Sequence, residues 1–398
     1  MGKLDLETAL ASCNYYPASV DLCRRVIWFA EIERETYRRA GFLVPKQAAM
    51  SEERYGFNLD DVLLHDLSLP IGGAPSHYIF ISAFCCSTLL ARLLDRVPGC
   101  LVLREPSVLG QLGMMRYRTR DSGDRRSPPQ PEAAVAAASA SPGRRRGDAD
   151  FTAGETPAPQ TAAEWEEEWQ TWAALGMRLL TRTFDPGQTV IVKAADVCNT
   201  MPEVILANDS RSKAVMLSVG LRTFVLSVLK DEKRKDWTRK RAIFWQKHLT
   251  LFPALNGVNV PELGDAEKAA YLWLVTAALW DQFRKQVDPE RLLPMDGDEV
   301  SEDPGGALKR VAGFFRLPLE ESRVREILAD PVLGRHSKFP GQAYDGAKRR
   351  SDREDWEERF GADADRAIEW AAGIREAMES DGIDFSSMAN DEVEELAL

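Results

Sequence analysis

The chain lacks any uncharged apolar run approaching the ~20 residues that a membrane helix requires, and its start, MGKLDLETALASC, lacks the apolar core of a secretory signal. The myristoylation pattern fails as well, because Leu6 stands where Ser or Thr is wanted. A basic excess is absent: 51 Lys and Arg face 62 Asp and Glu, a formal charge of -11. That balance argues against sequence-independent binding to duplex nucleic acid, which needs a basic face to displace counterions. The six cysteines (Cys13, Cys23, Cys85, Cys86, Cys100 and Cys198) show no CxxC or Cys/His spacing of the kind zinc sites use. Adjacent Cys85 and Cys86 would bond to each other only with strain. The expectation is a soluble cytoplasmic protein with reduced thiols, no metal, no membrane partner and no nucleic-acid partner.

What is present is enough apolar material for a real core, 44% over 398 residues. Residues 1–70 are expected to form an N-terminal helical extension, since VDLCRRVIWFAEIERETYRRA spaces its apolar residues at three and four. After the loop IGGAPS come short aliphatic segments separated by helical patterns: HYIFISAF (77–84), CLVLREP (100–106), TVIVKAA (189–195), SKAVMLSVG (212–220) and RLLPMDGDEV (291–300). Near-continuous apolar strands alternating with helices predict an α/β fold, a mainly parallel sheet covered on both faces, over residues 71–350. The segment 118–164 is rich in Ala, Pro, Ser, Gly and Arg and is expected to be a disordered insertion, because burial could not offset the entropy of ordering it. Residues 351–398 read as a C-terminal helical segment and tail.

In a parallel α/β sheet, ligands gather beyond the carboxyl ends of the strands, where helix N-termini direct free N–H groups outward. The stretch FISAFCCSTLLARLLD (80–95) occupies such a strand-to-helix turn. It offers the amides of Cys85 to Leu89 and the hydroxyls of Ser87 and Thr88 to an anion, without the glycines and lysine of a phosphate-binding P-loop. A nucleophilic thiol is a second reading of the cysteine pair, and a buried strand feeding a buried helix is the plain structural one. Glu105 and Lys193 each stand at or near the end of an apolar strand, and Asp196 and Asn199 at the next helix start, where both types are also ordinary caps. Downstream, Arg222 lies near a strand end and Ser227 five residues further along. Lys230, Lys233, Arg234, Lys235, Arg239, Lys240 and Arg241 form a basic cluster, either a solvated face or a rim attracting an anionic cosubstrate. A second basic group, GRHSKFPGQAYDGAKRR, reads as a loop that closes over a ligand or links two helices.

The order of these pieces resembles the P-loop sulfotransferases, especially their divergent bacterial branches. FCCSTLL stands for the R-S-G-T-T-L-L turn, LREP for a strand ending in E-P, VIVK for a strand ending in lysine, and SVGLRTFVLSVL for R-D-P-R-x-x-x-x-S. LLPMDGDEVSEDPGGALKRVAGFFRLPLE follows as the late strand, D-P and F-F helix. The resemblance implies a parallel α/β sheet and the donor 3'-phosphoadenosine 5'-phosphosulfate. It implies that Cys86, Ser87, Thr88 and Leu89 line the 5'-phosphosulfate cradle and that Arg222 and Ser227 lie at the 3'-phosphate. Lys193 matches a lysine that precedes the catalytic region, with Glu105, or secondly Asp196, as the base that accepts a proton from a small-molecule hydroxyl or amine. His248 and His336 are weaker base candidates. The chain departs from the pattern at Phe84 for the cradle's basic residue, Cys86 for its glycine, Val219 for the first arginine and Ala195 for a catalytic histidine. Those losses leave open a non-catalytic nucleotide-binding or scaffold protein of the same fold; a nucleotide kinase or NTPase fits less well without a P-loop lysine.

Overall fold

The structure, a computed structural model, describes residues 4–66, 74–116, 161–248, 252–330 and 346–389, except residues 23, 46, 47 and 49. Its strands are β1 (Tyr15–Asp21), β2 (Val26–Glu31), β3 (Arg54–Asn58), β4 (His77–Ile81), β5 (Cys100–Arg104), β6 (Thr189–Lys193), β7 (Ala214–Ser218) and β8 (Leu292–Asp296). The helices are α1 (Leu6–Ala11), α2 (Arg34–Arg39), α3 (Leu59–Asp66), α4 (Ser87–Leu94), α5 (Ser107–Met115), α6 (Ala162–Leu180), α7 (Pro202–Ala207) and α8 (Leu221–Leu229). They continue with α9 (Glu232–His248), α10 (Pro253–Asn256), α11 (Asp265–Arg284), α12 (Gly297–Glu302), α13 (Pro304–Phe315), α14 (Glu321–Leu328) and α15 (Gly346–Ser380).

The five apolar segments form one sheet in the order β5-β6-β4-β7-β8. The pairs β5–β6 and β7–β8 run parallel. Strands β4, β5 and β7 are buried at every position, as a run of aliphatic side chains without alternation requires when helices cover both faces. Strand β8 stands at one end of the order, where Pro294 leaves no inner ladder bond unmade. By internal contacts the chain divides into two compact units, Met1–Tyr78 with Gly99–Lys213, and Ile79–Pro98 with Ala214–Leu398.

In the first unit the expected N-terminal helical extension is corrected. Residues 15–58 carry an antiparallel sheet in the order β1-β2-β3, and among the described residues of 1–70 the helices are the short α1, α2 and α3. The spacing of Val20, Ile27 and Ala30 suits a helix on paper. The β-branched and aromatic run VIWFAE instead buries Val26, Ile27, Phe29 and Ala30 on both faces of β2. Gly56 on β3 makes room for the Trp28 ring, since a Cβ there would lie 2.6 Å from it. Arg182 binds the segment together, donating to the carbonyls of Ala9, Leu10, Ser12, Tyr15 and Leu179 at 2.6–3.2 Å. The segment also packs on α5: Ser107 Oγ donates to the Ala18 carbonyl at 2.6 Å, and Gln111 accepts from the Val20 amide at 2.9 Å.

The expected disordered insertion lies outside the described residues as far as 160; from Thr161 the chain is ordered, with a capping box between Thr161 and Glu164 opening α6. In the second unit α11 is the central helix. It buries fifteen of its twenty residues, Trp273 and Trp280 among them. The long C-terminal helix α15 packs against α8 and α11.

Candidate functional site

The residues singled out in the sequence fall into two groups, one in each unit. In the first unit, the parallel register sets Arg104 of β5 opposite Lys193 of β6. The next amide, that of Glu105, donates to the Lys193 carbonyl at 2.7 Å. Glu105 turns there with φ 48°, a left-handed conformation uncommon for a side chain of its size, and Pro106 follows. Its carboxylate thereby accepts a hydrogen bond from the Lys193 ammonium, which is 2% exposed. The Phe42 ring stands 5.6 Å from the same ammonium. Arg104 is buried too and holds the neighbouring loop, donating to the carbonyls of Arg38 and Ala40 at 2.9 and 2.8 Å. Asp196 opens a 3-10 turn, Asp196–Thr200, and is half-buried, while Asn199 within it is buried.

In the second unit, β4 ends at Ile81, and Ser82 donates its amide to the Leu217 carbonyl at 3.1 Å. Ala83, Phe84 and Cys86 then adopt φ of 64°, 51° and 59°. Each left-handed non-glycine residue costs about 1 kcal/mol or more. Three in four residues is a concentration of strain at the one turn that leads into α4. Cys86 thus takes, at the N-cap of α4, the backbone conformation that glycine adopts most readily. Ser87 and Thr88 open the first turn at the positive end of the helix dipole, and the Leu89 amide donates to the Cys86 carbonyl at 2.9 Å. Ser87 is buried and Thr88 half-buried. Buried Cys85 sits inside the turn rather than facing solvent. Gly297, first residue of α12, touches that turn: a Cβ there would lie 2.3 Å from the Cys85 carbonyl oxygen and 3.0 Å from the Val219 side chain.

Phe84, where a basic residue was expected, packs against Trp237 edge-on at 5.3 Å and against Phe224 at 5.8 Å. The Arg234 guanidinium lies over the same ring, 4.6 Å from its centroid. Nη1 of Arg234 donates to the carbonyl of Ser227 at 2.8 Å and to its hydroxyl at 2.5 Å. Arg222 goes elsewhere: Nε and Nη2 donate to the two oxygens of Glu357 at 2.9 and 2.8 Å, and Nη1 donates to Asp365 at 2.6 Å. These two carboxylates of α15 raise its pKa further, the bonds to Glu357 contributing most. Beside it Lys230 lies 3.4 Å from the Trp356 ring centroid. Asp296, which caps α12 by accepting from the Asp298 amide at 2.8 Å, has its pKa raised, first by burial and then by Asp298, Glu299 and Glu302.

The structure therefore joins Glu105 to Lys193, keeps Cys86 to Leu89 contiguous at one helix start, and sets Ser227 beside Arg234 rather than beside Arg222. Sequence reasoning passed over Gly297 and Phe42. In the sequence Arg234 stands only as one of a basic run, in which Lys235 pairs with Glu232, Lys240 with Asp236, and Arg239 with Asp265. The residues 334–345 of the second basic group, with His336, lie outside the described residues, as does the side chain of His248. Among the described residues no three His, Cys, Asp or Glu side chains group as metal ligands, and no helix is long and apolar enough to cross a membrane.

No family model matches the chain, and no curated protein matches it. Among solved structures it is similar to a sulfotransferase from Mycobacterium avium, with 14% identity, 76% of this chain and 79% of that chain covered, and a TM-score of 0.35. It is also similar to a sulfotransferase from Mycobacterium tuberculosis H37Rv, with 15% identity, 76% and 82% covered, and a TM-score of 0.36. A third is the sulfotransferase domain of the curacin biosynthetic pathway, with 13% identity, 69% and 85% covered, and a TM-score of 0.35. These likenesses are faint, and the fold class stands on the sheet itself: five strands in the order β5-β6-β4-β7-β8, flanked by helices.

Proposed function

We propose that the chain is a sulfotransferase-like enzyme that passes a sulfuryl group from 3'-phosphoadenosine 5'-phosphosulfate to a hydroxyl or amine of a small molecule. The observation that carries the reading is the turn 83–86, which holds three non-glycine residues left-handed immediately before the first-turn amides of α4. Backbone strain of this kind persists where the surroundings enforce it, and the result is a helix N-terminus presented as an anion cradle. The ordered motif series of the sequence supplies the identity of the anion.

In this reading Cys86, Ser87, Thr88 and Leu89 bind the 5'-phosphosulfate and Ser227 lies at the 3'-phosphate. The acceptor oxygen or nitrogen attacks sulfur. The bond from sulfur to the 5'-phosphate oxygen breaks with its electron pair, and adenosine 3',5'-bisphosphate leaves. The acceptor's proton passes to the carboxylate of Glu105, with Asp196 as the alternative base. Lys193 neutralises negative charge that develops during transfer, so the chain contributes positioning and electrostatics.

Calorimetry with adenosine 3',5'-bisphosphate tests the donor assignment: saturable heat below millimolar ligand is expected, and none at millimolar ligand contradicts it. The capture of Arg222 by Glu357 and Asp365 favours a second reading, a non-catalytic nucleotide-binding or scaffold protein of the same fold. Bisphosphate binding without release of labelled sulfuryl from the donor, across a panel of phenols, alcohols and amines, would select that reading.

A further inference from the structure

We infer that Arg234 of α9 is the anion-binding cation of this site, a relocated replacement for the basic groups missing at Phe84 and Val219. The inference rests on the reading of the turn as a phosphonucleotide cradle. Its own basis is the position of one guanidinium, which touches both parts of that cradle within the second unit. It lies 4.6 Å from the ring centroid of Phe84, the turn residue at which a cation is expected, and it donates from Nη1 to the carbonyl and hydroxyl of Ser227, the residue assigned to the 3'-phosphate. Both bonds to Ser227 come from Nη1, and a guanidinium is the side chain whose planar set of donors suits phosphate recognition.

The side chain is held there by its neighbours. Arg234, Trp237 and Arg241 recur at three and four residues and so share one face of α9. Trp237 packs edge-on against Phe84, and Arg241 lies over Trp237 at 5.5 Å and over Phe244 at 5.7 Å. Cations and rings thus alternate from the turn along the helix. Phe84 carries no charge of its own, yet its ring face receives a guanidinium, so the cation is retained with its backbone origin moved from the turn after β4 to α9. Arg222, the arginine that the sequence pattern favours, is committed to Glu357 and Asp365. Its position against both Phe84 and Ser227 assigns Arg234 to the donor's phosphates, while Arg222 holds α15.

The test titrates the full chain with adenosine 3',5'-bisphosphate and with adenosine 5'-monophosphate, comparing wild type, Arg234→Gln, Arg222→Gln and the double variant Phe84→Arg with Arg234→Gln. Loss of one charged donor pair predicts that Arg234→Gln weakens the bisphosphate about 10- to 100-fold. Arg222→Gln is predicted to change affinity less than about threefold, within the effect of a side chain that makes no phosphate contact. Returning the cation at position 84 is predicted to recover most of the loss. Unchanged bisphosphate affinity in a folded Arg234→Gln protein overturns the inference and leaves the donor assignment standing, whereas a wild type that binds neither nucleotide removes both. A variant-free measurement covers the case in which Arg234→Gln fails to fold. Phenylglyoxal modification of the wild type, mapped by mass spectrometry, should spare Arg234 when the bisphosphate is bound; equal modification with and without it overturns the assignment.

Discussion

Lys193 and Glu105 form an ion pair in which the ammonium is 2% exposed and the carboxylate 26% exposed, so one partner depends on the other for its neutralisation. Removing Glu105 alone strands a buried charge. Glu105→Gln is predicted to cost about 3 kcal/mol, the low end for a broken buried pair because the carboxylate side reaches water. Lys193→Met combined with Glu105→Gln should lie closer to wild type than Glu105→Gln does, since no unpaired charge remains. Urea unfolding of the three proteins measures this. A double variant less stable than Glu105→Gln would show that the pair is worth more than its desolvation. In turnover, loss of the proposed base should lower kcat by about 10²- to 10⁴-fold.

Among the described glycines, Gly297 is the one whose added Cβ would meet the turn 83–86. Gly297→Ala would place a methyl 2.3 Å from the Cys85 carbonyl oxygen, so the turn or α12 must move. The predicted cost is about 1–3 kcal/mol, with weaker bisphosphate binding. Loss of stability with unchanged nucleotide affinity would show that the shift is absorbed by α12.

Arg222 ties α8 to α15 through a bidentate, half-buried fork to Glu357. Arg222→Ala should therefore cost about 1–2 kcal/mol, above an ordinary surface pair, and the cost should shrink in 1 M salt. Chemical denaturation at low and high salt reads both effects. A salt-independent loss would assign the effect to packing instead.

Asp296 links stability to pH. Burial, the largest cause, and three neighbouring carboxylates raise its folded pKa above the ordinary 3.8. The folded state therefore takes up a proton more readily than the unfolded chain. Its contribution to stability is full below the unfolded value and is lost as pH rises through the folded one. Asp296→Asn keeps an oxygen to cap α12 and removes the titration. It should gain stability relative to wild type as pH increases from about 4 to 7; a difference that stays constant across that range contradicts this.

Arg182 ties the N-terminal segment of the first unit to the end of α6. Arg182→Ala withdraws the donor from five carbonyls between Ala9 and Leu179, for a predicted loss of about 3 kcal/mol or more. Arg182→Lys should recover only part, because a point charge cannot span them. Full recovery with Lys would mean that charge, rather than the fork, holds the segment.

The five strands of the main sheet were legible because each is a short apolar run ending at a charged or small residue, and a run without alternation leaves few alternatives. The N-terminal sheet was not, since Val20, Ile27 and Ala30 fit a helical period by coincidence and the partners that make β2 a strand lie on β1 and β3. Glu105 and Lys193 were visible as charges ending apolar strands; that they meet depends on register, which sets Arg104 opposite Lys193. Arg222 matched a linear pattern, but its partners lie 135 and 143 residues away on α15. Arg234 was hidden in a run of like residues. Only the fold distinguishes it from Lys235 and Lys240, by setting its guanidinium over Phe84 and against Ser227.

A crystal structure of the full chain soaked with adenosine 3',5'-bisphosphate decides whether the N-terminus of α4 holds the donor. A phosphate is expected on the amides of Cys86 to Leu89, with the second phosphate at Ser227 and the Arg234 guanidinium. Nucleotide density away from the α4 N-terminus, or held by Arg222 with Arg234 uninvolved, would contradict it.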